Sequence, residues 1–176
     1  MPHSIQTERL LLRPVTLRDA PGLARAFNDF EVTKATKTWP YPVSVEHARF
    51  RIRQFIKGQG DGQYGLAITY RGEVVGNIGG TWRGGPHLSI GYGMARPLWG
   101  QGLMTEAVGA FCAFGFRVLG AKRIEADVFK DNPGSSKVLL KTGFKCIGDI
   151  GPGWSTTLQG NFPRWGYELT RERLVL

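Results

Sequence analysis

One stretch restricts the fold more than any other: Arg96-Pro97-Leu98-Trp99-Gly100-Gln101-Gly102-Leu103-Met104-Thr105-Glu106-Ala107. It leaves a strand-like segment, Leu88 to Met94, and enters a helical one, Thr105 to about Leu119. Gly100 and Gly102 accept backbone angles that other residues avoid, so successive N–H groups can turn toward one point. The first helical turn adds unpaired N–H groups and the positive end of the helix dipole. Such a connection either holds an anion of the pyrophosphate type or is a tight strand-to-helix turn with nothing bound.

Two nucleotide-binding patterns fail here. A P-loop needs GxxxxGK[ST], and no Lys follows Gly102 at the required place. A dinucleotide fingerprint needs GxGxxG, and Thr105 occupies its third glycine position. That fold also places its fingerprint near the first strand-helix unit, whereas here a long segment with a hairpin precedes it.

The rest of the chain reads as a mixed α/β unit. Leu10 to Arg13 is a short strand and Leu17 to Asn28 a helix. Asp29 to Val43 reads as irregular, with Trp39-Pro40-Tyr41-Pro42 blocking regular structure. Ser44 caps a helix to about Lys57, with Ala48, Ile52, Phe55 and Ile56 on its apolar face, and Gly58, Gly60 and Gly62 end it. Tyr64 to Tyr70 and Val74 to Trp82 form a hairpin through Arg71-Gly72-Glu73. Gly91 and Gly93 inside the next strand mark a bulge or a place where a ligand meets the backbone. Arg123 to Val128 is a strand. Asn132 caps a helix to about Lys141, with Pro133 at its first position and Gly143 just past its end. Phe144 to Asp149 and Tyr167 to Leu169 are the closing strands. With 176 residues and no linker, residues 1–176 read as a single domain.

Several classes are excluded or disfavoured. The longest uncharged apolar run, Ala107 to Phe116, has ten residues, half of what a spanning helix needs. Glu8 and Arg9 stand where a secretory signal would be apolar. Cys112 and Cys146 form no CxxC, and His3, His47 and His87 are too scattered for metal-ligand spacing. Two free thiols fit a reducing cytoplasm. The charge is +9, from 23 basic and 14 acidic residues. That surplus suits an anionic partner or a solvated surface.

The runs Ile90-Gly91-Tyr92, Trp99 to Ala107, Arg123-Ile124-Glu125-Ala126 and Asn132-x-x-Ser135-x-Lys137-Val138-Leu139-x-Lys141-x-Gly143-Phe144, taken together in that order, resemble the GNAT acetyltransferases. The opening Thr7-Glu8-Arg9-Leu10-Leu11-Leu12-Arg13 resembles the ribosomal-protein N-acetyltransferase branch, RimJ/RimL-like. The resemblance covers roughly residues 7 to 170. It implies an α/β fold of the α+β type: a twisted mixed sheet with flanking helices, whose fourth and fifth strands splay apart. Counted from Leu10–Arg13, those are Leu88–Met94 and Arg123–Val128. Acetyl-CoA is the implied co-substrate, with no metal. Its pantetheine arm would pair with backbone around Met94 and its pyrophosphate would lie on Trp99, Gly100, Gln101, Gly102, Leu103, Met104 and Thr105. Trp99 stands where the family often has Arg or Gln, and Met104 where it often has Gly or Ala. Backbone groups do the binding, so neither change prevents it.

The implied reaction is attack of a neutral amine on an acetyl thioester in a ternary complex. The amine must lose a proton, the oxyanion needs donors and the thiolate needs a proton. The Asn132-x-x-Ser135 match implies that Asn132 contacts CoA and that Ser135 is the general acid, with Ser136 as the alternative donor. Asn132 also reads as a helix cap, and the two roles are compatible. The family often has Glu two residues before the Gly-Tyr pair; here that residue is Ser89. Glu125, Asp127, His87 and a water chain are the candidate replacements, with a water relay aided by Glu125 as the working expectation. Glu106 at the helix start reads as a dipole partner. The acceptor would enter between Asn28–Val43 and Gly151–Gly166, which hold Phe30, Trp39, Tyr41, Trp154, Phe162 and Trp165. Arg96, Lys130, Lys137 and Lys141 are near enough in sequence to recruit CoA. The expected partner is an amine, either a protein N-terminus or a small molecule, with no membrane or direct nucleic acid involved, and the chain a monomer or homodimer. A non-catalytic acyl-CoA sensor and a basic RNA-binding module are the rival readings.

Overall fold

The structure is a computed structural model that describes residues 4–59 and 62–176. Its frame is one eight-stranded sheet. The strands are β1 (Ile5–Gln6), β2 (Leu10–Pro14), β3 (Gln63–Tyr70), β4 (Glu73–Trp82), β5 (His87–Met94), β6 (Arg123–Phe129), β7 (Lys145–Ser155) and β8 (Gly160–Leu169), in spatial order β1-β2-β3-β4-β5-β6-β8-β7. Every neighbouring pair is antiparallel except β5 and β6. Helices α1 (Ala20–Phe27), α2 (Phe30–Lys34), α3 (Val45–Gly58), α4 (Leu103–Arg117) and α5 (Pro133–Thr142) complete the unit.

The pleat sends alternate strand residues to opposite faces. Leu88, Ile90, Ile124, Ala126 and Val128 join the larger core with α4 and α5. Ala67 joins the smaller core, built on Leu23, Phe27, Ala48 and Ile52 of α1 and α3. Odd-numbered residues of β5 and β6 face this second side, as Gly93 shows: a Cβ there would lie 2.6 Å from the Phe27 ring.

The helix caps follow the sequence closely. Ser44 Oγ accepts from the His47 amide at 3.1 Å. Asn132 Oδ1 accepts from the Ser135 amide at 3.1 Å, Pro133 opens α5, and Gly143 ends it at φ +101°. Cys112 is fully buried in the larger core, and that burial pushes its thiol pKa up.

The structure departs from the sequence expectation at four places. Asp29–Val43 is not wholly irregular, because the Asp29 carboxylate accepts from the Glu31 amide and starts α2, which buries Val32 and Thr33. Ile56 is exposed, since α3 turns Ala48, Ile52 and Phe55 to the sheet instead. Helix α4 begins at Leu103, two residues early, because Gly102 at φ +78° is its cap. Gly151–Gly166 is not a loop but most of the β7–β8 hairpin. Left-handed Gly148 and Gly151 absorb two register shifts there, so a Gly- and Pro-containing segment still pairs. Gly60 lies outside the described residues.

Three carboxyls tie distant segments together. Arg13 binds Asp19, Arg9 and Thr7 bind Glu106, and Lys37 and Arg164 bind Asp127. Burial alone would raise each acid, but these partners outweigh it and hold all three below the usual carboxylate range. Their stabilising effect is complete above the unfolded-state values, about 4, and is lost as pH falls through the lower folded values. Melting temperature should therefore drop steeply below about pH 4; a flat profile down to about pH 2.5 would contradict it.

Candidate active site

The β5–β6 pairing is the origin of the site. It lasts for three registered pairs, His87–Arg123, Leu88–Ile124 and Ser89–Glu125, and then ends although both strands continue. A parallel pair needs a straight common path, and here β5 stays with β4 up to the Met94–Gly76 pair while β6 follows β8. The splay opens beyond Ser89.

What the splay exposes on β5 follows from antiparallel alternation. Arg83 N–H donates to His87 O at 2.9 Å, and Ala95 N–H to Val75 O at 2.8 Å. Odd residues of β5 therefore exchange bonds with β4, and Ile90, Tyr92 and Met94 aim their N–H and C=O groups the other way, into the gap. The Met94 carbonyl is already engaged, because Trp99 Nε1–H donates to it at 2.8 Å. The Met94 amide is left facing the gap. Its side chain is buried, so only its main chain is offered.

The glycine turn behaves as its composition requires. Gly100 and Gly102 have φ of +76° and +78°. No described residue accepts a hydrogen bond from the amides of Gly100 through Thr105. The turn is braced from behind: Arg9 Nη1 donates to Gln101 O at 2.9 Å, while Glu106 accepts from Thr7 Oγ1, the Arg9 amide and Arg9 Nε. This gives Thr7-x-Arg9 a physical task, and it gives Glu106 a structural bond set in addition to its place at the helix dipole.

Two cavities open from the splay. One, of 430 Å³, is lined by Gly93, Met94, Trp99, Gly100, Met104 and Val138 among others. The second, of 230 Å³, lies toward α3 and is lined by Lys37, Trp39, Arg51, Ser89, Gly91 and Asp127 among others. Both reach Thr36, Tyr92, Asn132 and Ser135. Nothing lies within 4 Å of where a Gly91 Cβ would stand. Gly91 thus keeps space open, whereas Gly93 is glycine because Phe27 packs on it.

Where the cavities meet, the Tyr92 and Ser135 hydroxyls are 2.8 Å apart. Burial pushes the Tyr92 phenol pKa well up, so it stays neutral at physiological pH. Asn132 spends its carbonyl oxygen on the α5 cap, and its amide nitrogen has no partner among the described residues. In the sequence Tyr92 stands in the Ile90-Gly91-Tyr92 run with nothing local to mark it for chemistry. The distance between the two hydroxyls is visible only in three dimensions.

Gln101, Gly102, Leu103 and Thr105 do not line the 430 Å³ cavity; Leu103 is buried in the core. Ser89, Glu125 and Asp127 share the α1–α3 face of the sheet, with Glu125 registered beside Ser89 but lining neither cavity. His87 Nδ1 is 3.7 Å from Glu125 Oε1. Asp127 receives Lys37 Nζ at 2.6 Å and Arg164 Nη1 at 2.7 Å, one on each oxygen. Both oxygens are engaged by cations, so it is poorly suited to accept a proton. Lys130 binds Asp149 and lies over the Trp165 ring, Arg96 is near Asp29, and Lys137 and Lys141 are exposed. Of the six aromatics grouped in sequence, only Trp39 lines the second cavity. Phe30 packs on Tyr41 and Phe162 on Phe129, and Trp154 is exposed. The two segments do meet: Thr156 binds the Lys37 carbonyl and Thr157 the Trp39 carbonyl. Among the described residues no helix is long and apolar enough to cross a membrane.

A mixed sheet that splays at one parallel pair, with an open-amide glycine turn beside the opening, defines the GNAT fold. The model of the acetyltransferase (GNAT) domain matches residues 9–145. The chain belongs to the GNAT acetyltransferase family and is an acyltransferase enzyme of the N-acetyltransferase kind. It is 33% identical over 149 residues to the Bacillus licheniformis protein named uncharacterized N-acetyltransferase p20, covering 81% of this chain and 83% of that one. Its fold is similar to that of Mycobacterium smegmatis RimJ in complex with CoA-disulfide, with TM-score 0.84, 21% identity and 99% and 89% of the two chains covered. It is also similar to the ribosomal-protein-S5-alanine acetyltransferase from Vibrio fischeri, with TM-score 0.82, 17% identity and 99% and 100% covered.

Proposed function

We propose that the chain transfers the acetyl group of acetyl-CoA directly to a primary amine, and that the amine is a protein N-terminal α-amine. The observation that carries the reading is the meeting of two cavities at Tyr92, Asn132 and Ser135, one on each side of the splay. A thioester entering by the larger cavity and an amine by the smaller would converge there without a covalent enzyme intermediate. RimJ-type and ribosomal-protein acetyltransferase neighbours support the N-terminal acceptor, and the CoA-disulfide of the RimJ structure supports the carrier.

The open amides of Gly100 through Thr105 take the pyrophosphate, as a helix N-terminus with free N–H groups is suited to do. The Met94 amide donates to the carbonyl oxygen as it gains charge. The attacking nitrogen forms the C–N bond, the C–S bond breaks, and the proton lost by nitrogen balances the one gained by sulfur. Ser135 Oγ–H donates to the departing sulfur, Tyr92 Oη–H replenishes it through their 2.8 Å contact, and the proton lost by nitrogen returns through water to Tyr92, so both hydroxyls end neutral. Asn132 holds the start of α5, and with it Ser135, in place. Glu125, beside Ser89, draws the first proton from an entering ammonium through water.

Calorimetric titration with acetyl-CoA, followed by thiol release on N-terminal peptides, polyamines, amino acids and aminoglycosides, tests the function. Binding of acetyl-CoA with turnover on at least one amine is expected. Ser89 in place of the family's usual Glu favours one other reading, a non-catalytic acyl-CoA sensor; saturable binding with no thiol release on any amine would establish it. Glu125→Gln should change the pH–rate profile, and an unchanged profile would remove Glu125 from the proton path.

A further inference from the structure

The smaller cavity contains a cation with no part in the steps above. Arg51 reaches into it from α3. Its guanidinium carbon lies 5.2 Å from the Phe55 ring centroid and 6.0 Å from that of Trp39. Phe55 is one helical turn further on, and Trp39 is itself fixed by stacking on Phe27 at 4.3 Å. Two aromatic rings thus flank the guanidinium within cation–π range. Its Nε is buried with no hydrogen-bond partner, and no described carboxylate pairs with it.

Arg51 is only partly buried, but a buried N–H without a partner is costly, and proteins ordinarily satisfy it. The neighbouring cations follow that rule, since Lys37 and Arg164 share Asp127. Among the described residues the cavity lining carries Lys37, Arg51 and Arg83 against the one carboxylate of Asp127. Asp127 is already neutralised, so a positive surplus remains. A plain ammonium would be repelled from such a space, whereas an amine that also carries an oxyanion would be drawn in. Burial pushes the Arg51 pKa down, a measure of how poorly the site solvates the charge without a counter-ion.

We propose that Arg51 is an oxyanion subsite, and that the acceptor is a primary amine bearing a carboxylate, gripped by the guanidinium while its nitrogen points toward Ser135. The inference rests on the acetyl-transfer reading and adds the substrate class. The planar fork of Arg matches a carboxylate bidentately. At 230 Å³ the cavity is smaller than drug-sized sites, so it admits only the head of an acceptor. The carboxylate has two sources of the same chemistry: the α-carboxylate of a free amino acid, or an acidic side chain next to a polypeptide N-terminus. The positive surplus also favours the neutral amine, which is part of the task a Glu at Ser89 would perform.

The test uses two matched pairs of acceptors, alanine against alaninamide and the peptide amide Ala-Glu-Ala against Ala-Gln-Ala, in thiol-release assays at saturating acetyl-CoA. The carboxylate member of at least one pair should be favoured in kcat/KM by about tenfold or more, and the pair that responds identifies the source. In Arg51→Met that ratio should fall to about one through a raised KM, with Arg51→Lys intermediate; the Lys variant retains the charge and covers the case in which Met lowers the melting temperature. Equal rates within both pairs overturn the subsite yet leave the enzyme standing, and so does a preference that persists in Arg51→Met. If no amine turns over, titration calorimetry with N-acetylalanine and N-acetylalaninamide reads the subsite independently of chemistry. Absence of a carboxylate preference there overturns it.

Discussion

Gly102→Asp should abolish acetyl-CoA binding while the fold survives. Gly102 holds φ +78° at the head of α4, and nothing but Arg9 Nη2, at 3.5 Å, is near where its Cβ would stand. Space is therefore not the obstacle. Asp tolerates left-handed backbone better than most residues, so the conformational cost is about 1–2 kcal/mol or less. The decisive effect is electrostatic, since a carboxylate would stand among the free amides proposed to receive a diphosphate. Arg9 would shield it only in part, because its other nitrogens are committed to Glu106 and the Gln101 carbonyl. Affinity should fall by at least about 100-fold, counting like-charge repulsion at short range in a partly screened site. Gly102→Ala separates the two contributions: it adds the strain without the charge and should lose much less. A folded Gly102→Asp protein with wild-type acetyl-CoA affinity would overturn the assignment of the turn.

Ser135→Ala should lower kcat by about 100-fold or more with little change in acetyl-CoA affinity. The hydroxyl is a group at the meeting point of both cavities, and its removal leaves the departing sulfur without a positioned donor. Tyr92→Phe should cost less, about tenfold, because Ser135 would remain and solvent could resupply its proton. The double variant should be no worse than Ser135→Ala alone if the two act as one relay, and non-additivity of this kind is how a shared role is recognised. Ser136→Ala serves as the reference for changes to α5 that leave the Ser135 hydroxyl in place. Steady-state thiol release gives all four values. An unchanged kcat in Ser135→Ala would remove it as the acid.

The wild-type arrangement explains why the splay can be permanent without destabilising the sheet. Ile90, Tyr92 and Met94, whose main-chain groups aim into the gap, line the cavities, and Trp99 satisfies the Met94 carbonyl. The turn is held by long-range bonds from Thr7 and Arg9, so its open amides do not depend on a ligand to keep their orientation. Pre-set donors of this kind lose less on binding than mobile ones do.

Much of this was legible in the chain itself. Local rules act within a few residues, and they gave the Ser44 and Asn132 caps, the Gly143 stop, the β3–β4 hairpin and the glycine turn, because each depends on a neighbour's amide or on one φ angle. The sequence alone determined that an open-amide turn joins a strand to a helix, and that no Glu precedes the Gly-Tyr pair. What distance along the chain conceals, only the tertiary structure decided. Glu106 belongs to Arg9, Asp127 is saturated by Lys37 and Arg164, the Tyr92 and Ser135 hydroxyls touch, and Arg51 stands over Trp39 and Phe55 with no counter-charge among the described residues. Whether a carboxylate is a base or an anchor, and whether a cation is bound or free, depends on which groups the sheet brings within about 3 Å. That is set by strand register and packing, which no local pattern encodes.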